Sequence, residues 1–295
     1  MPGIVEVPAV WIQGGSCSGC SVSVLNSLAP SIANVLIDDV VPGKHINLRF
    51  HATIMAGAGQ PVIQVLEDTR ERSRGEYLLV VEGAIPTADG GVYCRMGERD
   101  GEHVTFHRWA VDLGRDALAV IALGTCACFG GIPGGAPNPT GVKPLMDIYR
   151  EAGVATPLIN VPGCAPHPDW FVGTLAGVLL GGLPKADELD DLLRPKAFFG
   201  NLVHEHCPRR AYFDEGKFAA HFGEPGCLYE LGCKGPITYA DCPDRGWNSG
   251  VSWCIKAGMG CQACTQPEFP DLGSFYTKLA DVDVPRIGDC WRREG

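Results

Sequence analysis

No lysine or arginine precedes Lys44 in this chain of 295 residues. That absence removes the charged start of an export signal and any twin-arginine leader, so no leader is expected in the chain as given. Long apolar runs are also missing. The longest, Phe171 to Leu183, is broken by glycines and too short to cross a bilayer. Positive charge is scarce, with 24 Lys and Arg against 34 Asp and Glu, and no basic stripe stands out, so nucleic acid is not expected as a partner. The motifs of common catalytic sites are absent as well. There is no G-x-S-x-G, no Walker phosphate loop and no G-x-G-x-x-G behind a strand. The chain therefore has no evident nucleophilic, acid–base or nucleotide-binding machinery of its own.

What the chain does have is cysteine, 14 in all. A disulfide framework is one reading, but that device belongs to short exported domains that cannot build a core, and a chain of this length can. Eleven of the cysteines and one histidine sort into three sets of four. Cys17, Cys20, Cys126 and Cys164 lie in Gly- or Pro-rich turns of the N-terminal part. Cys207, Cys227 and Cys233 follow His204 and His206, and either imidazole could complete that set. Cys242, Cys254, Cys261 and Cys264 make the third. Four soft donors per site suit tetrahedral zinc or an iron–sulfur cluster. Zinc in all three would leave a protein without evident chemistry, whereas a row of redox centres conducts electrons. Cys94, Cys128 and Cys290 remain, the first two read as packing thiols and the last as free.

Strand-like runs at Val7–Gln13, Ile46–His51, Tyr77–Val81, Leu118–Leu123 and Pro157–Val161 alternate with helical stretches at about Val22–Leu28, Gln60–Arg74, Pro144–Ala152 and from the PGCAPHPDW turn through Leu180. This repetition predicts an α/β fold with a parallel sheet and helices on both faces. Ligands of such folds gather beyond the carboxyl ends of the strands. Cys17/Cys20, Cys126 and Cys164 each follow a predicted strand directly, so they should meet at one edge. Asp187–Leu193 reads as a short acidic helix. From Lys196 onward periodicity fades, and a segment so rich in Gly, Pro and Cys needs an inorganic staple. The expected domains are residues 1–185 and 186–295.

The blocks WIQGGSCSGCSVSVLNS, VVEGAIPTADGGVYC, GTCACFGG, NVPGCAPHPDW, FFGNLVHEHCPR, GCLYELGCKGP and DCPDRGWNSGVSWCIKAG through CQACTQPEFPD run in one order over nearly the whole chain. In them the chain closely resembles the small subunit of nickel–iron hydrogenases, in particular the nickel–iron–selenium branch. The resemblance implies a flavodoxin-like N-terminal domain and an irregular, mostly loop and helix, C-terminal iron–sulfur domain. It implies an obligate heterodimer with a large subunit whose nickel–iron centre performs H2 = 2 H+ + 2 e-. It also implies three 4Fe–4S clusters: proximal on Cys17, Cys20, Cys126 and Cys164; medial on Cys242, Cys254, Cys261 and Cys264; distal on His204, Cys207, Cys227 and Cys233. The family motif H-x-x-C selects His204 over His206. Many relatives carry proline where Cys254 stands and hold a 3Fe–4S medial cluster, so the thiolate here implies 4Fe–4S.

Oxygen-tolerant relatives carry two extra cysteines around the proximal cluster, at positions matching Gly19 and Gly131, so an ordinary cubane is implied. Two residues depart from the usual pattern. Cys128 replaces a small or hydroxylated residue, and Ala165 replaces a proline. The implied external carrier is a cytochrome, a ferredoxin or a quinone-linked protein. The alternative function is a cluster-bearing subunit of a related respiratory oxidoreductase, whose members lack the H-x-x-C region and the medial set. The expected location is cytoplasmic or membrane-associated as given, or periplasmic if the sequence is a mature form.

Overall fold

The five apolar runs expected as strands pair into one sheet, all parallel. The computed structural model describes residues 5–36, 43–273 and 275–279, and the chain divides into two units, Met1–Lys185 and Ala186–Gly295. The strands of the first unit are β1 (Val5–Gln13), β2 (Lys44–His51), β3 (Leu78–Glu82), β4 (Ile85–Pro86), β5 (Arg95–Arg99), β6 (Glu102–Thr105), β7 (Ala119–Leu123), β8 (Val142–Lys143) and β9 (Leu158–Val161). The main sheet runs β2-β1-β3-β7-β9, with parallel register at every step. This is the flavodoxin-like order, and its chain reversal lies between β1 and β3. All five residues of both β3 and β7 are buried, as expected for central strands covered on both faces.

The helices of this unit are α1 (Gly19–Leu25), α2 (Ile32–Leu36), α3 (Gln60–Arg72), α4 (Phe106–Asp116), α5 (Thr125–Phe129), α6 (Gly131–Gly134), α7 (Leu145–Ala152) and α8 (Pro168–Gly181). Successive strand side chains point to opposite faces. Val10, Ile12, Leu79, Val81 and Val120 meet Leu66 of α3, Trp109 and Leu113 of α4 and Ile148 of α7 in one core. Trp11, between Val10 and Ile12, instead meets Phe171 of α8 with ring centroids 5.1 Å apart, and α8 also packs on α1.

Two differences from the sequence reading have local causes. The stretch between β3 and β7, for which no elements were expected, contains the β5–β6 hairpin and α4. Thr105 caps α4, its hydroxyl accepting from the Arg108 N–H at 3.2 Å. The acidic helix expected at Asp187–Leu193 does not form beyond a single 3-10 turn at Ala186–Glu188. The Asp190 carboxylate accepts from the backbone of Leu192 (3.0 Å) and Arg194 (2.9 Å), and Leu193 takes a φ of +60°. A short acidic side chain has here displaced the helical bonds by offering the backbone local ones.

Among its described residues the second unit has few regular elements: α9 (Lys196–Phe199), α10 (Arg210–Asp214), α11 (Cys242–Arg245) and isolated 3-10 turns. Phe199, Val203, Leu228, Trp253, Ile255 and Phe269 are its main buried apolar side chains. Arg194, also buried, pairs with Asp190 at 2.8 Å.

Candidate metal centres

In the first unit the cysteines stand where three strands end. Gln13 ends β1, and the chain turns through Cys17 into α1, which carries Cys20. β7 ends at Leu123, and α5 carries Cys126; β9 ends at Val161, and Cys164 follows. The last two turns are clasped together. Gly124 N–H donates to Val161 O (2.9 Å) and Thr125 N–H to Gly163 O (3.0 Å), while Gly163 N–H donates to the Thr125 hydroxyl (2.8 Å).

Glycine makes the room. Gly124 has φ +85°, and a Cβ there would lie 2.4 Å from the Cys20 sulfur. Gly131 has φ +54°, and a Cβ would lie 2.8 to 3.0 Å from the backbone and sulfur of Cys126. At Gly19 a Cβ would meet only the Cys17 sulfur at 3.0 Å and Ala165 at 4.0 Å.

The thiols sense one another. Burial pushes the Cys126 thiol up to about 12, and nearby Cys164 and Cys17 add to the effect. Cys20 is driven higher still by burial, then by Glu82, Cys126, Cys128 and Cys164. Cys164 is raised by burial and by Cys17. Thiols gathered in this way would repel one another as thiolates, and a cationic group between them would remove that cost.

Glu82 was not singled out in the sequence, yet it is the most enclosed acid of this edge, with no exposed surface. Its carboxylate accepts from Trp11 Nε1 (2.9 Å), Gln13 Nε2 (3.0 Å), Ser21 N–H (3.3 Å) and the Ser21 hydroxyl (2.5 Å). Ser21 Oγ lies 3.2 Å from His51 Nε2, and burial lowers the His51 pKa. Ser21 and His51 also line an apolar cavity of about 270 Å³ that reaches Trp11, Phe171 and Leu175. The signal available beforehand was a glutamate ending an otherwise apolar strand, just before a glycine.

In the second unit, Cys207, Cys227 and Cys233 are all buried. Burial pushes Cys233 up to about 11, with Cys207 and Cys227 adding to it. The two candidate histidines differ sharply. His204 Nε2 is buried without a hydrogen-bond partner, and its ring stands nearly perpendicular to that of Phe213, with centroids 4.6 Å apart. Burial, then Arg210, lowers its pKa and keeps it neutral, the form that binds metals. His206 is half-exposed and already paired, with Nδ1 2.7 Å from the Asp244 carboxylate.

Cys242, Cys254, Cys261 and Cys264 form the remaining group. Burial raises Cys242, followed by the influence of Cys264 and, further down, Cys254. It raises Cys261 strongly, with Cys233 and Cys264 next. Cys254 is exposed and Cys264 partly buried.

The donor sets fit iron–sulfur clusters: each set offers four soft donors, one for each iron of a 4Fe–4S cluster, and His204 Nε2 stands buried without a partner. Cys128 is fully buried in the sheet core, its thiol 3.2 Å from Ala122 O, and Cys94 packs at the edge of the same core. Cys290 lies outside the described residues. No described helix is long and apolar enough to cross a membrane.

Residues 199–277 match the family model for the C-terminal region of NiFe/NiFeSe hydrogenase small subunits, and residues 17–178 match that of the NADH ubiquinone oxidoreductase 20 kDa subunit. The chain is 44% identical over 284 residues to the periplasmic [NiFeSe] hydrogenase small subunit of Desulfomicrobium baculatum, covering 93% of this chain and 88% of that one. It is 41% identical over 273 residues to the periplasmic [NiFe] hydrogenase small subunit 1 of Nitratidesulfovibrio vulgaris, covering 90% and 81%. The [NiFeSe] hydrogenase structure from Desulfovibrio vulgaris Hildenborough superposes with a TM-score of 0.86 at 41% identity, over 92% of this chain and 98% of that one.

Proposed function

This chain belongs to the family of nickel–iron and nickel–iron–selenium hydrogenase small subunits, and on that premise we propose that it relays electrons between the nickel–iron centre of a large subunit and an external carrier. The observation that carries this reading is the gathering of soft donors into groups in which Cys126, Cys233 and Cys242 are each raised by neighbouring thiols, on a chain with no evident catalytic residues of its own. Cys17, Cys20, Cys126 and Cys164 would hold a proximal 4Fe–4S cluster. Cys242, Cys254, Cys261 and Cys264 would hold a medial one, and His204, Cys207, Cys227 and Cys233 a distal one. Bound there, each cluster supplies a site that gains and loses one electron without moving atoms.

The chain's own residues set the conditions. Burial excludes water from Cys20, Cys207, Cys227, Cys233 and Cys261, while Cys17, Cys164 and Cys254 are exposed on this chain. The clasp between Thr125 and Gly163 fixes two of the proximal donors against each other. Glu82 brings negative charge close to Cys20. His204 contributes a neutral nitrogen in place of a fourth negative thiolate, which raises the potential at that end. His206 is taken up by Asp244, which favours His204 as the ligand.

Val22, Leu25 and Leu28 stand exposed beside the Cys17–Cys20 turn. Such an apolar rim suits burial by the large subunit. A cytochrome, ferredoxin or quinone-linked protein remains the proposed carrier. The word periplasmic in the names of two relatives favours the mature-form alternative for location.

The test is an anaerobically purified heterodimer. About twelve irons with matching sulfide, and no stoichiometric 3Fe–4S signal by EPR, are expected for three 4Fe–4S clusters. Zinc in place of iron, or a chain that accumulates cluster-free beside its large subunit, would falsify the reading. The respiratory-oxidoreductase alternative is disfavoured by the match over residues 199–277, the region its members lack.

A further inference from the structure

Cys233 and Cys261 belong to different ligand sets and are separated by 28 positions in the chain, yet the Cys261 backbone N–H donates to the Cys233 sulfur at 3.3 Å. We propose that this hydrogen bond is the conducting contact between the distal and medial clusters. The proposal rests on the ligand sets above. A sulfur bound to one cluster then accepts a hydrogen bond from the very residue whose own sulfur binds the other. The route is four atoms of Cys261, from Sγ through Cβ and Cα to N, then one hydrogen bond. In each transfer one cluster loses an electron and the other gains it. The N–H proton stays on Cys261, and no bond is made or broken.

The surroundings hold this contact on both sides. Lys234, next to Cys233, returns a bond in the opposite direction, its N–H donating to Cys261 O at 2.7 Å. Its side chain is buried, with Nζ 3.4 Å from Thr277 O. The two segments approach so closely that Gly260 has no room for a side chain. A Cβ there would sit 2.9 Å from Cys233 Cα, 3.0 Å from its Cβ and 3.1 Å from its N. The competing route is longer. It leaves the Cys261 sulfur for the Thr238 hydroxyl 3.4 Å away, runs along Thr238 to its carbonyl, crosses to Val203 N–H at 2.8 Å, and reaches His204 only through the backbone.

Gly260→Ala separates the segments without removing a ligand, because the atoms that the methyl meets are backbone or next to it and cannot yield. Gly235→Ala is the matched control. Its methyl would also lie near Cys233, but at 3.5 Å from the sulfur and 3.6 Å from Val203, which is ordinary contact.

The measurement is multi-frequency EPR of the loaded heterodimer with medial and distal clusters reduced, separating exchange from dipolar coupling. Exchange needs a bonded path, and dipolar coupling does not. The wild type and Gly235→Ala should show equal exchange coupling. In Gly260→Ala it should fall several-fold while the dipolar part stays nearly constant, with slower electron arrival at the distal cluster and unchanged proton–deuterium exchange at the partner's site. A wild-type spectrum that is purely dipolar overturns the proposal, as does an unchanged exchange term in a loaded Gly260→Ala. Should that variant fail to assemble, the wild-type spectrum alone decides. Absence of the medial or distal cluster from the wild type would overturn the ligand sets and the bridge together, whereas both clusters present without exchange would overturn the bridge alone.

Discussion

Glu82 has no exposed surface and sits in a ring of donors that are all uncharged, namely Trp11, Gln13 and Ser21. Its negative charge opposes an anion at Cys20, and by the same sign it opposes adding an electron to a cluster held there. Glu82→Gln should therefore raise the potential of the proximal cluster, read by EPR-monitored redox titration of the heterodimer. A lower or unchanged value would remove Glu82 from that role. His204 and His206 give the second test at this scale. His204→Ala should change the distal cluster's EPR signal and slow delivery to external acceptors, while His206→Ala should leave that signal intact. The reverse pattern would move the ligand two residues along. Spacing by itself left both imidazoles open, and only the family motif selected His204, because spacing says nothing of the Asp244 carboxylate that occupies His206. Glu82 escaped notice for a similar reason: its significance comes from Ser21 and His51, far from it in the chain.

The turn after β7 and the turn after β9 act as one element. The Thr125 hydroxyl accepts from a Gly163 N–H that has no water to turn to. Thr125→Val keeps the shape and leaves that donor unpaired, at a cost of about 1–3 kcal/mol. The expected outcome is a lower denaturant midpoint and partial loss of the proximal cluster, with the far-UV circular dichroism of the sheet retained. Full cluster occupancy in the variant would show that Cys126 and Cys164 are positioned by something else. The five sheet strands were legible because unbroken apolar runs followed by Gly-rich turns have few other readings. The β5–β6 hairpin and α4 were not, since β5 is short, charged and mostly exposed. The Asp187–Leu193 segment misled because its acidic, leucine-bearing pattern suits a helix start, while Asp190 spends its carboxylate on the backbone of Leu192 and Arg194.

At the scale of the whole molecule the two units differ in what supports them. Met1–Lys185 is built on a sheet with a large apolar core. The described residues of Ala186–Gly295 form only short helices, turns and isolated bridges, and a fold of that kind is expected to depend on bound metal for its stability. Stripping iron under anaerobic chelation should unfold the second unit first, seen as early proteolytic cleavage beyond Ala186 while the sheet unit persists. Simultaneous cleavage of both would contradict this. The glycines at the proximal edge bear on something further, the route by which such an enzyme acquires resistance to air. The two positions that carry extra cysteines in oxygen-tolerant relatives are unequal here. Gly19 would admit a side chain after a small shift of one sulfur, but Gly131 combines a positive φ with a Cβ pressed against Cys126. On the positions that the resemblance implies, two substitutions alone are not expected to graft resistance to air. An evolving lineage, or a designer, would have to rebuild the α5–α6 corner before the second cysteine could be accepted, and Gly19→Cys alone should assemble while Gly131→Cys alone should lose the proximal cluster.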